Sequence, residues 1–181
     1  MNQIILMATV WCTASWTPLV HQATVKEKQE SQIHEMRLCP VQDSHAHMNE
    51  RGEAGMGFSP STTAHHFLIQ AGGGVILVEA KDPEDKANRD NIRHHLAHIA
   101  QAFANADFDI PVLVHDTTPP GVFELKELKR KIAYSFQETP AGGQILIRTS
   151  DRRARAAIHK FLRYQIEEHQ TGDPLEMQAI R

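Results

Sequence analysis

The chain has 181 residues, 41% hydrophobic and 23% charged, with a formal net charge of −3 when histidine is counted neutral. That length bounds one domain plus an extension, with enough apolar material for a single core. No basic stripe runs through it, which argues against a nucleic-acid partner; the tight run Arg152-Arg153-Ala154-Arg155 falls where a helix should begin and reads as a solvated turn.

Residues 4–16 (IILMATVWCTASW) form an apolar run. It is too short for a bilayer span of ~20 residues, so no membrane span is expected in the mature chain. It reads as the hydrophobic region of a signal peptide over residues 1–23, with Ala23 as its last residue. The expected location is periplasmic or secreted. No Lys or Arg precedes the run and His21 sits where a small residue is preferred, so a cytoplasmic chain is the alternative. Loss of residues 1–23 removes Cys12 and leaves Cys39 alone, a stray thiol with no disulfide partner. Residues 24–60 read as a linker or extended segment, polar at 26–32 and Gly-rich at 51–58. The ordered domain is expected over 61–174, with 175–181 as a tail.

A repeat is visible inside that domain. GGVILVEAKD at 73–82 matches GGQILIRTSD at 142–151. Each copy follows a strand-like segment (66–70 and 132–137) and precedes a helix-like one (83–104 and 152–169). Asp82 and Asp151 are placed to cap the helices, and Pro83 suits a first helical position. The expected fold is α+β: duplicated β-β-α units forming one four-stranded antiparallel sheet, with two main helices on one face. Residues 110–115 are expected to add a fifth strand or extended segment, and 121–131 a short helix or turn. Ile92, Leu96, Ile99 and Phe103 should be buried with Ile158, Phe161, Leu162 and Ile166. Ile76, Val78, Ile145 and Ile147 should share one sheet face. Val75, Leu77 and Leu146 on the other need a cover, from the Gly-rich segment or the second subunit of a homodimer.

Histidine dominates the remaining signal, at 12 residues. Neutral imidazole is the commonest protein ligand for transition metals. His95 lies beside the apolar stripe of the first helix and His98 shares its side. Set against the second helix, with a small gap after the Asp caps, they match Phe161 and Tyr164. In the pair His65-His66 only one ring can face the helices; His65 shares a face with Phe67 and is the inward candidate. His115, followed by Asp116, ends the expected fifth strand, where the carboxylate could orient the ring. His94 should face solvent, and His159 and His169 read as structural, the latter at a helix C-terminus.

The leading expectation is an exported metal-binding protein with copper bound by His65, His95, His98 and His115, and Met56 or His47-Met48 closing the site. An all-His site would favour zinc. Two other classes compete. One is a metal-dependent enzyme of unknown reaction, with Glu79, Asp82 or Asp116 moving protons. The other is a pH-responsive interaction module in which clustered histidines charge together. The chain carries no His-Glu-x-x-His, paired Cys-x-x-Cys, nucleophile elbow, phosphate loop or EF-hand loop.

Several stretches carry a family resemblance: NERGEAGMGF at 49–58, TAHHF at 63–67, FDIPVLVHD at 108–116 and AIHKFLRYQI at 157–166 with Thr171-Gly172-Asp173. Together they resemble a group of small, mostly exported bacterial proteins of unassigned function, over roughly residues 47–174. The group's pattern is Met-Gly-Phe, a short gap, then Thr-Thr-His-His-Phe; here Ala64 replaces the second Thr. Some members are labelled aspartate carbamoyltransferase, but this chain lacks that enzyme's Ser-Thr-Arg-Thr type motif and is far shorter. The resemblance implies export and importance for Met56, His65, His66 and His115.

Overall fold

Two hairpins, each followed by a long amphipathic helix, build the domain. The structure is a computed structural model and describes residues 39–177. The expected signal peptide, Cys12 and the first part of the linker lie outside the described residues. In chain order the elements are α1 (Cys39–Met56), β1 (Thr63–Gln70), β2 (Gly73–Ala80), α2 (Lys86–Ala104), α3 (Asp109–His115) and α4 (Val122–Glu127). A single 3-10 turn (Lys129–Lys131) leads to β3 (Ala133–Thr139), β4 (Gly142–Arg148) and α5 (Arg152–Glu168).

The sheet order is β1-β2-β4-β3, with every neighbouring pair antiparallel. The two hairpins have matching registers. Gln70 pairs with Gly73 as Thr139 pairs with Gly142. In the central ladder, Gly73 sits opposite Arg148 and Gly142 opposite Glu79, the same relation with the two units exchanged. Both main helices cover one face. α2 packs mainly on β3 and β4, and α5 on β1 and β2, so each helix covers the other unit's hairpin. This cross-over gives each stripe a wider partner than its own two strands.

Strand alternation sends Phe67 and Ile69, Ile76 and Val78, and Ile145 and Ile147 to the helix side, where all are buried. They meet Ile92, Leu96, Ile99 and Phe103 of α2 and Ile158, Phe161, Leu162 and Ile166 of α5 in one cluster. Gly74 faces this layer, and a Cβ there would overlap the Leu162 side chain and press on the Leu68 carbonyl, so the missing side chain lets α5 seat. The opposite face carries Val75, which is buried among its neighbours, with Leu77 and Leu146 half-buried.

Several expectations are corrected. The segment expected to be a fifth strand is the helix α3. Pro111 falls in its first turn, where the missing N–H costs nothing, whereas mid-strand it would break a ladder. Its apolar contacts then follow helical spacing, with Val114 buried and Leu113 exposed. Asp116 ends it in the left-handed conformation at φ 52°. Residues 39–56, expected to be extended, are helical; the Arg51 side chain of α1 donates to the Val114 carbonyl at 3.0 Å. The Gly-rich segment leads to the helix side of the sheet, where Phe58 joins the core, and does not cover the opposite face. Asp151 caps α5 as expected, accepting from the N–H groups of Arg153 and Ala154. The α2 cap is Asp85, not Asp82; Asp82 stabilises the preceding turn through the Glu84 N–H.

Candidate functional site

Where β1 begins, α5 ends and α2 and α3 pass, the core is not filled. A cavity of about 80 Å³ remains there. Four imidazoles line it, from four parts of the chain: His65 on β1, His95 on α2, His115 at the end of α3 and His169 just after α5. Gln165 and Met56 complete its polar and sulfur-bearing lining; the rest is aromatic and aliphatic, including Phe58, Phe67, Phe103 and Phe161. No Asp, Glu, Lys or Arg lines it.

The rings form a continuous ladder. His95 meets Phe58 edge-on at 5.5 Å between centroids, and Phe58 stacks on His65 at 6.1 Å. His65 lies parallel to His169 at 5.9 Å, and His169 meets His115 edge-on at 5.1 Å. His115 continues to Tyr164 at 5.0 Å.

Polar satisfaction is incomplete at this spot. His115 donates from Nε2 to Gln165 Oε1 at 3.0 Å, which leaves its Nδ1 as a bare lone pair. That Nδ1, the Nε2 of His65 and the amide nitrogen of Gln165 are buried with no hydrogen-bond partner. An unsatisfied buried polar group costs ~1–3 kcal/mol, and three of them here belong to residues that line one cavity.

Three of the rings are held neutral. Burial, then the neighbouring His95, His66 and Lys81, lowers the His65 pKa to about 4. Burial, then His98 and His94, lowers His95 to about 4. Burial also lowers His115, opposed by its bond to Gln165 and by Glu168. With no carboxylate in the lining, little offsets the desolvation of an imidazolium.

Of the expected ligands, His65, His95, His115 and Met56 come together in the cavity, while the others go elsewhere. His98 lines a groove outside it, with His94 and again His95 and Met56. His66 is on the opposite face of β1. Its Nδ1 donates to Asp173 Oδ1 at 3.0 Å, and Asp173 also accepts from the Phe67 N–H at 2.9 Å and the Thr171 hydroxyl at 2.7 Å. His47 is exposed beside Glu50, and Met48 is buried; neither lines the cavity. Asp116 is exposed and does not orient His115, a role that Gln165 takes. Glu79, Asp82 and Asp116, the expected proton carriers, do not reach the cavity; Glu79 accepts from the Thr139 hydroxyl instead.

Gln165 escaped the sequence reading, and His169 was read there only as a structural residue at a helix end. Gln165 and His169 follow Phe161 at successive steps of four, so they prolong the buried stripe of α5 with polar side chains. That break in an apolar stripe was the available signal. His159 fits its structural reading: it is buried, and its Nε2 donates to the carbonyls of Gln70 at 2.9 Å and Gly73 at 3.1 Å, pinning α5 to the first hairpin.

Among the described residues, no group of three or more His, Cys, Asp or Glu side chains is arranged to hold a metal ion. Compared with known proteins, the chain matches no family model, no curated protein and no solved structure.

Proposed function

We propose that the chain is an exported metal-binding protein whose site is the histidine cavity, with copper as the first candidate. The carrying observation is the pair of buried, unpartnered ring nitrogens, His65 Nε2 and His115 Nδ1, in one small cavity. Volume favours an ion: sites for drug-sized molecules run to roughly 300–1,000 Å³, against about 80 Å³ here. Ring spacing is in keeping. Two imidazoles on one tetrahedral ion place their centroids roughly 5–6 Å apart, and His169 stands 5.1 Å from His115 and 5.9 Å from His65. A metal needs deprotonated imidazole, and neutral rings supply lone pairs without first losing a proton. The thioether of Met56 at the wall suits the cuprous ion; an all-nitrogen set would suit zinc. Export rests on the apolar run at residues 4–16.

The test is elemental analysis of natively produced protein without a His tag, followed by titration with cuprous ion and with zinc. Stoichiometric metal, lost in His65→Phe and His115→Phe, is the expected result; the aromatic replacements keep ring bulk in the core. Metal no higher than background in the folded wild-type protein at neutral pH overturns the proposal.

A further inference from the structure

The cavity has an outer neighbour. A groove of about 400 Å³ runs beside it, lined by His94, His95, His98 and Asn91 of α2, with Met56 and Ile110. His94 and His98 are exposed. They stand four residues apart on a helix, one turn above the other on the same face, a spacing from which two imidazoles can grip one transition ion. His95 and Met56 line both the groove and the buried cavity. The three α2 rings line one groove, and no carboxylate lines it with them.

We propose that His94 and His98 form an outer, labile docking site for the cuprous ion, and that His95 and Met56 pass the ion inward to the cavity. The inference rests on the metal reading of that cavity. An ion held by the lining of the cavity must give up the ligands it arrives with by stepwise exchange, each departing ligand being replaced by a protein donor. The chain offers such donors in order: two exposed nitrogens on one helix turn, then a nitrogen and a sulfur shared by both spaces, then the buried nitrogens of His65 and His115. The copper stays cuprous throughout, so no electron moves and no oxidant is needed. The arrangement makes the outer pair a determinant of loading rate and not of final affinity.

The experiment is stopped-flow transfer of cuprous ion from its coloured bicinchoninate complex to untagged, full-length protein. Wild type is compared with His94→Gln/His98→Gln, two exposed positions whose replacement leaves the core intact, with the melting temperature checked for both. The expected result is a loading rate lower by about tenfold in the variant, with the same bound copper at the end and the same affinity in competition. Equal rates with equal endpoints overturn the entry route and leave the buried site standing. A lower endpoint or affinity in the variant also overturns it, because the pair would then belong to the resident site. No uptake by the folded wild type removes the buried site and the route together.

Discussion

Acidification should destabilise the protein through two histidines. In the folded chain His65 and His95 have pKa values of about 4, chiefly because both are buried. In the unfolded chain each returns to ~6.5. Between those values the unfolded state binds more protons, so stability is full above ~6.5 and is lost as the pH falls towards 4. At pH 5 each ring differs by nearly one proton between the states, which costs about 2 kcal/mol per ring and about 4 kcal/mol for the pair. For a domain of this size that lowers Tm by about 10 °C or more. His115, shifted in the same direction, adds to the effect. Most carboxylates titrate closer to ~4, so the window from pH 7 to 5 isolates the imidazoles. The assay is urea unfolding at several pH values, with proton uptake on unfolding measured near pH 5; about two protons are expected. His95→Gln should remove about half of the slope. A stability curve flat from pH 7 to 5 in metal-free protein would refute the burial argument for both rings.

Four further outcomes follow from the geometry. On the proposed metal reading, cuprous affinity should stay nearly constant between pH 7 and 5, because His65 and His95 hold no proton to displace; chelator competition across that range reads it. Gly74→Ala should cost about 3 kcal/mol in urea unfolding, since its Cβ would overlap Leu162 at the α5–sheet contact. Asp85→Ala should cost about 1 kcal/mol as a lost helix cap, with Asp82→Ala within about 0.5 kcal/mol, and Asp151→Ala should destabilise for the same reason as Asp85→Ala. His159→Leu should destabilise by about 1–3 kcal/mol, leaving two hairpin carbonyls without their donor, while copper stoichiometry holds.

What the sequence determined by itself was local. Alternation in GGVILVEA and GGQILIR marked the strands and their buried faces, and a 3–4 apolar spacing marked α2 and α5, because both patterns express which side of an element must leave water. The same logic put His65 inward with Phe67 and His66 outward. The reading failed where neighbours in sequence could not decide. The apolar run at 110–115 suits either a strand or a short helix, and its packing chose the helix. Asp82 and Asp85 both resemble caps, and only the path of the chain into α2 separates them. The cavity was legible only in part, because its rings reach it from positions 65, 95, 115 and 169, and no local pattern records that they converge. The partners of its neighbours are equally distant: His66 meets Asp173 across 107 residues, and His115 meets Gln165 across 50. Burial turns His65 and His95 neutral and leaves His65 Nε2 and His115 Nδ1 unpaired, and burial there is a property of packed elements together, which only the tertiary structure decides.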